Sequence, residues 1–241
     1  MKWEPDDFKL EKSSVWSFPE RGNWATHDAN YRGNCSPYVV RNLLLRYSKE
    51  GDWILDQFVG GGTSLVEAKL LGRSAIGTDV NQKALDRCKE KIAFAYGDVK
   101  IELRKADARN LKFIKNGSID FICTHPPYSD IIRYTNGLDG DISLLDYNDF
   151  LDAMAQVAEE AFRVLKSGKY CAFVMGDIRQ KGFVRPLGFD TMKVFEKADF
   201  KLKEIIIKQQ YNCRMTEKWE KISIEKNFFL LSHEYVFIFK K

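Results

Sequence analysis

The stretch from residue 53 to residue 72 constrains the fold more than any other. An apolar run, Trp53, Ile54 and Leu55, leads through Asp56 into three consecutive glycines, Gly60, Gly61 and Gly62, and then into the helix-like sequence Thr-Ser-Leu-Val-Glu-Ala-Lys-Leu-Leu-Gly. The pattern predicts a strand, a turn bare of side chains and a helix. Glycines let the backbone turn sharply and let a ligand lie against bare peptide, while N–H groups at the start of the helix supply donors. Such a unit belongs in an α/β sheet whose ligands sit beyond the carboxyl ends of the strands.

The remainder of the chain extends this unit. Strand-like runs are predicted at 53–58, 74–78, 100–105, 119–124, 170–175, 202–208 and 228–239, with helices between them at 37–47, 64–71, 82–94, 147–165 and 187–197. Pro37 and Asn81 are helix starters, and Gly72 and Gly168 are stops. The alternation predicts a seven-stranded, mostly parallel, Rossmann-like sheet flanked by helices, closed by a hairpin-like pair of strands. A length of 241 residues suits one domain over residues 37–241, with no separate recognition domain. Residues 1–36 hold three of the five tryptophans, Trp3, Trp16 and Trp24, with little periodicity, and are expected to wrap the domain or cap its site. The apolar runs are far shorter than a membrane span and the N-terminal residues lack the apolar core of a signal peptide, so a soluble cytoplasmic protein is expected. Five cysteines, odd in number and never in a CxxC pair, argue against a disulfide framework or a zinc knuckle and read as mostly buried thiols. The formal net charge of +4 is compatible with nucleic acid without requiring it.

Three acidic stations narrow the ligand. Asp79 ends the next predicted strand about twenty residues after the glycine loop, where a carboxylate accepts both ribose hydroxyls. Leu65 stands where a dinucleotide fingerprint wants its third glycine, and no lysine follows the loop to hold phosphates, which disfavours NAD and ATP. Asp56 before the loop would repel a phosphate but not a cationic sulfonium with an amino-acid tail, so S-adenosylmethionine fits the charge pattern. Asp107, after the third strand, is placed to accept from an adenine amino group or to cap a turn.

A second segment, Thr124-His-Pro-Pro-Tyr-Ser-Asp130, ends the fourth strand and should face the same crevice. An exocyclic amine on a base is a poor nucleophile because its lone pair is delocalised, so an enzyme gains by accepting hydrogen bonds from that NH2 and orienting the lone pair. Pro126 and Pro127 stiffen the turn and fix a backbone carbonyl, that of Pro126, as an acceptor, and Tyr128 is placed to stack on a flipped base.

With these motifs, residues 30–240 resemble the amino-methyltransferases of DNA, class I S-adenosylmethionine-dependent enzymes that modify adenine N6 or cytosine N4. The family's cofactor motif matches Asp56, Phe58, Gly60, Gly62 and Thr63, which implies contacts to the methionine end from Asp56 and the loop and adenine packing near Phe58. Its ribose acid matches Asp79 and its adenine-contacting acid Asp107. The Asn34-Cys-Ser-Pro segment resembles the helix-leading motif of permuted members, which implies Ser36 and Pro37 near the methionine carboxylate. The catalytic motif, usually Asp, Asn or Ser followed by Pro-Pro and an aromatic, matches Pro126, Pro127 and Tyr128, with His125 in the variable slot.

A neutral imidazole at His125 accepts one hydrogen bond but holds no negative charge, which blurs the base assignment. Adenine N6 is preferred over cytosine N4, direct in-line transfer needs no cysteine nucleophile and no metal, and a restriction-modification setting is implied. Loops at 129–145, at 176–186 with Arg179, Lys181 and Arg185, and at 209–227 are the candidate recognition surfaces, unless a partner subunit supplies recognition. The alternatives are an RNA methyltransferase acting on a purine amino group of tRNA or rRNA, and an inactive nucleic-acid-binding subunit.

Overall fold

The computed structural model describes residues 2–6, 8–211 and 216–241. In chain order the strands are β1 (Val15–Trp16), β2 (Trp53–Asp56), β3 (Ser74–Asp79), β4 (Ile101–Lys105), β5 (Ile119–Thr124), β6 (Leu165–Met175), β7 (Ile178–Gln180), β8 (Phe183–Arg185), β9 (Lys201–Gln209) and β10 (His233–Lys240). The α-helices are α1 (Pro37–Tyr47), α2 (Thr63–Leu70), α3 (Gln82–Lys91), α4 (Tyr147–Val164), α5 (Leu187–Lys197) and α6 (Thr216–Glu225).

The main sheet runs in the order β1-β9-β10-β6-β5-β2-β3-β4, with β10 antiparallel to both of its neighbours. From β2 the chain steps outward through β3 to β4, then returns to β5 on the other side of β2 and steps the opposite way to β6. The strand order therefore reverses between β2 and β5, and a crevice opens beyond their carboxyl ends.

Apolar residues on both faces of the sheet explain its two helical layers. On one face Val39, Val40, Leu43 and Leu44 of α1, Leu65 and Ala68 of α2 and Leu85 and Cys88 of α3 pack on Ile54, Phe121, Ala172 and Val236. On the other, Phe150, Met154, Val157 and Ala161 of α4 and Leu187 and Phe195 of α5 pack on Leu55, Ile122, Phe173 and Phe237. Phe173 lies 4.7 to 5.6 Å from the rings of Phe195, Phe237 and Phe239. Truncating a fully buried side chain here, such as Leu43→Ala, costs about 2–5 kcal/mol.

The sheet departs from the expected seven strands by one. Trp16, buried by the packing of α1, carries residues 15 and 16 onto the edge of β9 as a parallel eighth strand. The last strand starts at His233 rather than at 228, and β6 starts at Leu165. Gly168, expected as a helix stop, lies inside β6 because the chain enters the sheet directly at Leu165, opposite Ile119. The segment 176–186 holds the two-stranded hairpin β7–β8. Among the described cysteines, Cys88, Cys123 and Cys171 are buried, Cys35 is half-buried and all four are free; Cys213 lies outside the described residues. No described helix is long and apolar enough to cross a membrane.

Residues preceding α1 lie across one helical layer. The anchor is Glu67 on α2, fully buried, which accepts from Trp24 Nε1 at 2.7 Å and Arg41 Nη1 at 3.1 Å and meets His27 Nε2 at 2.8 Å. A carboxylate this deep is tolerable because three donors surround it.

Candidate active site

One cleft at the switch point, with about 890 Å³ of space counting the part open to solvent, gathers residues from the ends of several strands and from two loops. The glycine loop contributes Asp56, Gln57, Phe58, Gly60, Gly61 and Thr63, and the turn after β5 contributes His125 and Pro127. The N-terminal segment adds Tyr31, Gly33 and Asn34, and the loop after the turn adds Tyr134, Thr135 and Asp141.

Asp56 ties the two motifs together. Its Oδ1 accepts from Phe58 N at 3.1 Å and from Thr124 Oγ1 at 2.9 Å, and its Oδ2 accepts from the Ser64 hydroxyl. The end of β2 is thereby bonded to the end of β5, where the His-Pro-Pro turn begins. Burial raises the Asp56 carboxyl from the ordinary 3.8 to about 6, against the pull of those three donors.

The loop itself is held from β3. Gly60, at φ +44°, donates its N–H to Asp79 Oδ2 at 3.0 Å, while Asp79 Oδ1 accepts from Asn81 N at 2.9 Å. Burial raises the Asp79 pKa and outweighs both of these bonds, which favour the ionised form. Thr63 Oγ1 donates to Asn34 Oδ1 at 2.5 Å, which links the loop to the N-terminal segment. Gln57 is 1% exposed; its Nε2 reaches Val157 O at 3.4 Å, but its Oε1 has no partner among the described residues. A buried acceptor left unpaired in the wall of a cleft suits a ligand that brings a donor.

Over the loop lies an aromatic pair. Tyr31 and Tyr134 stack with centroids 6.1 Å apart and planes 12° from parallel. A Cβ at Gly60 or Gly61 would meet the Tyr31 side chain at 3.0 Å, so the absence of side chains in the loop is what admits this cover.

In the turn after β5, His125 is half-buried and its Nε2 lies 2.9 Å from Tyr128 Oη. Burial holds the His125 pKa below its usual value, so the ring is neutral at pH 7. Tyr128 Oη donates to Glu234 Oε1 at 2.7 Å, and Glu234 Oε2 accepts from Lys208 Nζ at 2.9 Å.

Of the residues singled out from sequence, Asp56, Phe58, Gly60, Thr63, Asp79, His125 and Pro127 line the cleft. Six others do not form its wall, among them Pro37, the buried first residue of α1. Ser36 stands at the N-cap position of α1, but its hydroxyl donates to Arg21 O at 3.2 Å instead of to the helix, and its neighbours Asn34 and Cys35 are on the wall. Gly62, at φ +82°, is a packing glycine, because a Cβ there would meet Cys88 Sγ at 2.6 Å. Pro126 is buried, and Tyr128 is turned toward Glu234. The Asp107 carboxylate is forked by Arg109, with Arg109 Nη2 at 2.7 Å and Nε at 3.0 and 3.1 Å, while Ala106 and Ala108 reach the cleft.

The family model described as DNA methylase matches residues 2–90 and 119–241. The chain belongs to this DNA methylase family. Among individual relatives, it is 34% identical over 124 residues to a tRNA (guanine(10)-N2)-dimethyltransferase of Methanothermobacter thermautotrophicus, covering 51% of this chain and 35% of that one. It is 44% identical over 55 residues to the Type II methyltransferase M2.DpnII of Streptococcus pneumoniae, covering 23% and 20%. With the Type II methyltransferase M.MjaVI of Methanocaldococcus jannaschii it shares 31% over 107 residues, covering 44% and 53%. The chain thus spans between about a fifth and about half of the length of these relatives. Its fold is that of class I S-adenosylmethionine-dependent methyltransferases. TrmN from Thermus thermophilus superposes with a TM-score of 0.57 at 20% identity over 87% of this chain and 50% of that one. A methyltransferase from Archaeoglobus fulgidus gives 0.53 at 18% over 87% and 96%. Family and fold imply S-adenosylmethionine as the cofactor. The cleft fits it: the buried Asp56 and the half-buried Asp79 suit a cationic, hydroxyl-bearing ligand, and Gln57 Oε1 can accept from one of its donors.

Proposed function

We propose that this DNA methylase family member transfers a methyl group from S-adenosylmethionine to an exocyclic amino group of a base in DNA, adenine N6 in preference to cytosine N4. The observation that carries the reading is the sharing of one cleft by the glycine loop and the His-Pro-Pro turn, joined by the Thr124 to Asp56 hydrogen bond. When bound, the cofactor supplies a methyl group on a cationic sulfur, already activated for displacement by an amine.

The chain's own residues then have separate tasks. Asp56 and the peptide of Gly60 and Gly61 hold the methionine end, Asp79 accepts the ribose hydroxyls, and Phe58 and Gln57 flank the adenine. Tyr31 and Tyr134 exclude water from above. On the acceptor side, a flipped base enters at the His125–Pro127 turn, beside Tyr128. The His125 ring and the Pro126 carbonyl accept from its NH2, which leaves the nitrogen lone pair unengaged for attack. Recognition is assigned to residues 129–145, to the β7–β8 hairpin and to 209–227, parts of which fall outside the described residues.

A second reading, transfer to a guanine amino group in structured RNA, is favoured by the tRNA-modifying relative whose match spans 51% of the chain. Transfer of labelled methyl to unmethylated duplex DNA and to structured RNA in parallel, followed by nucleoside mass spectrometry, separates the two. N6-methyladenine or N4-methylcytosine from DNA is the expected outcome, and N2-methylguanine from RNA alone would replace the first reading by the second. No product in either, despite measurable cofactor binding, would leave the protein a non-catalytic subunit.

A further inference from the structure

The catalytic turn is attached to a polar chain that crosses three elements. His125 and Tyr128 lie in the turn after β5, Glu234 on β10 and Lys208 on β9, and Glu234 and Lys208 are direct cross-strand partners. Their side chains are only 11% and 15% exposed. Along β10 the same face continues as Val236 and Ile238, and along β9 it includes Ile206, all packed in the apolar layer. An apolar pair would serve the sheet better at this point, since a largely buried ion pair is weak evidence for stability.

Proton accounting gives the pair a task. The Tyr128 phenol has one hydrogen, and the Glu234 carboxylate, ionised beside Lys208, only accepts, so that hydrogen is committed to Glu234 Oε1. The His125 contact must then be donated by the ring, which puts the single proton of the neutral imidazole on Nε2 and a lone pair on Nδ1.

We propose that Glu234, backed by Lys208, is a positioning residue that acts through Tyr128 to hold His125 as its Nε2–H tautomer, so that Nδ1 serves as the acceptor for the amino group of the substrate base. The inference rests on the amino-methyltransferase reading. In the opposite tautomer, Nδ1–H would face an NH2 donor with another donor. The surroundings of the ring agree with a neutral His125: burial opposes the imidazolium, Glu234 favours it, and Lys208 and Arg21 oppose it again. Burial is the largest single influence at Glu234 and opposes its ionisation, but Lys208, a charge on His125 and the hydrogen bonds from Lys208 and Tyr128 together outweigh it and hold the carboxyl below its usual range.

The test combines a tautomer measurement with kinetics on the full chain. The sequence has three histidines, so long-range 15N NMR, with His125 assigned by His125→Gln, reads its tautomer directly. The expected wild-type pattern at pH 7 is Nε2–H, with Tyr128→Phe and Glu234→Gln each shifting it to a tautomer mixture. Glu234→Gln should lower kcat about ten- to a hundred-fold while leaving the cofactor Kd unchanged. The Glu234→Gln/Lys208→Met double variant, which removes the orphaned ammonium, should regain thermal stability but not kcat. Recovery of kcat in the double variant would make Glu234 half of a structural ion pair and overturn the proposal. An Nδ1–H or imidazolium pattern in the wild type overturns it whatever the substrate. Absence of methyl transfer by the wild type to either nucleic acid would sink the parent reading instead, and the tautomer spectrum distinguishes the two failures.

Discussion

Asp56 combines burial with three donated hydrogen bonds, and the balance leaves its carboxyl at about 6 in the free protein. Because this lies above the ordinary 3.8, the folded chain holds more protons than the unfolded one between about pH 4 and 6, and the group's contribution to stability falls as pH rises through that window. A cationic ligand reverses the preference by favouring the carboxylate. Cofactor affinity should therefore weaken as pH falls from 7 to 5, approaching tenfold per pH unit below 6, with proton uptake by the ligand-free protein. Calorimetry in two buffers of different ionisation enthalpy measures both, and a pH-independent Kd would exclude Asp56 from the methionine end. Asp79→Ala should raise the cofactor Kd at least tenfold, because it removes both the ribose acceptor and the anchor of Gly60 N. An unchanged Kd by the same method would remove Asp79 from the ribose site. These two aspartates are legible in the sequence because each ends a strand next to a glycine turn or a helix start. Gln57 and Tyr31 are not, since nothing local distinguishes them and only the folded chain brings them to one wall.

Single elements show where sequence patterns fail and why. Helices α1 and α5 have the predicted bounds, because Pro37 starts the one and the buried positions Leu187, Thr191 and Phe195, four residues apart, set the other. The β7–β8 hairpin falls in a segment expected as a loop, although its tip carries a signal: Lys181 and Gly182, at φ +51° and +87°, form the two-residue turn that suits a hairpin. Its strands escape a burial pattern because Phe183 and Val184 are exposed. The docking of the N-terminal segment on α2 depends on Glu67, whose neighbours in sequence are an ordinary helical run. Glu67→Ala leaves Arg41, His27 and the Trp24 indole without their shared acceptor and should destabilise the protein by about 3–5 kcal/mol. Chemical denaturation measures this, and a loss under about 1 kcal/mol would mean that the network does not secure the segment.

At the scale of the whole molecule, the net charge of +4 is small, so binding to a polyanion has to come from local clusters. The hairpin is one, with Lys181 exposed at its tip and Arg179 held against Phe229 O at 3.0 Å and over the Phe228 ring. Replacing Arg179, Lys181 and Arg185 together by alanine should weaken nucleic-acid binding across sequences and reduce the slope of log K against log salt by roughly one for each phosphate that is no longer neutralised. Cofactor affinity should be unchanged, and an unaltered salt slope in a titration would move the nucleic-acid surface elsewhere. The sequence by itself determined the alternating strands and helices, the glycine turn after β2 and the Pro-Pro turn after β5, because periodicity, glycine and proline act on neighbours along the chain. Only the tertiary structure decided that the N-terminal segment, expected to wrap the domain or cap its site, lends an eighth strand and sets Tyr31 against Tyr134. It also decided that Asp107 is taken by Arg109, and that Tyr128 reaches Glu234. Those outcomes depend on which side chains meet across strands far apart in sequence, where burial and the proton count of each hydrogen bond choose the partner.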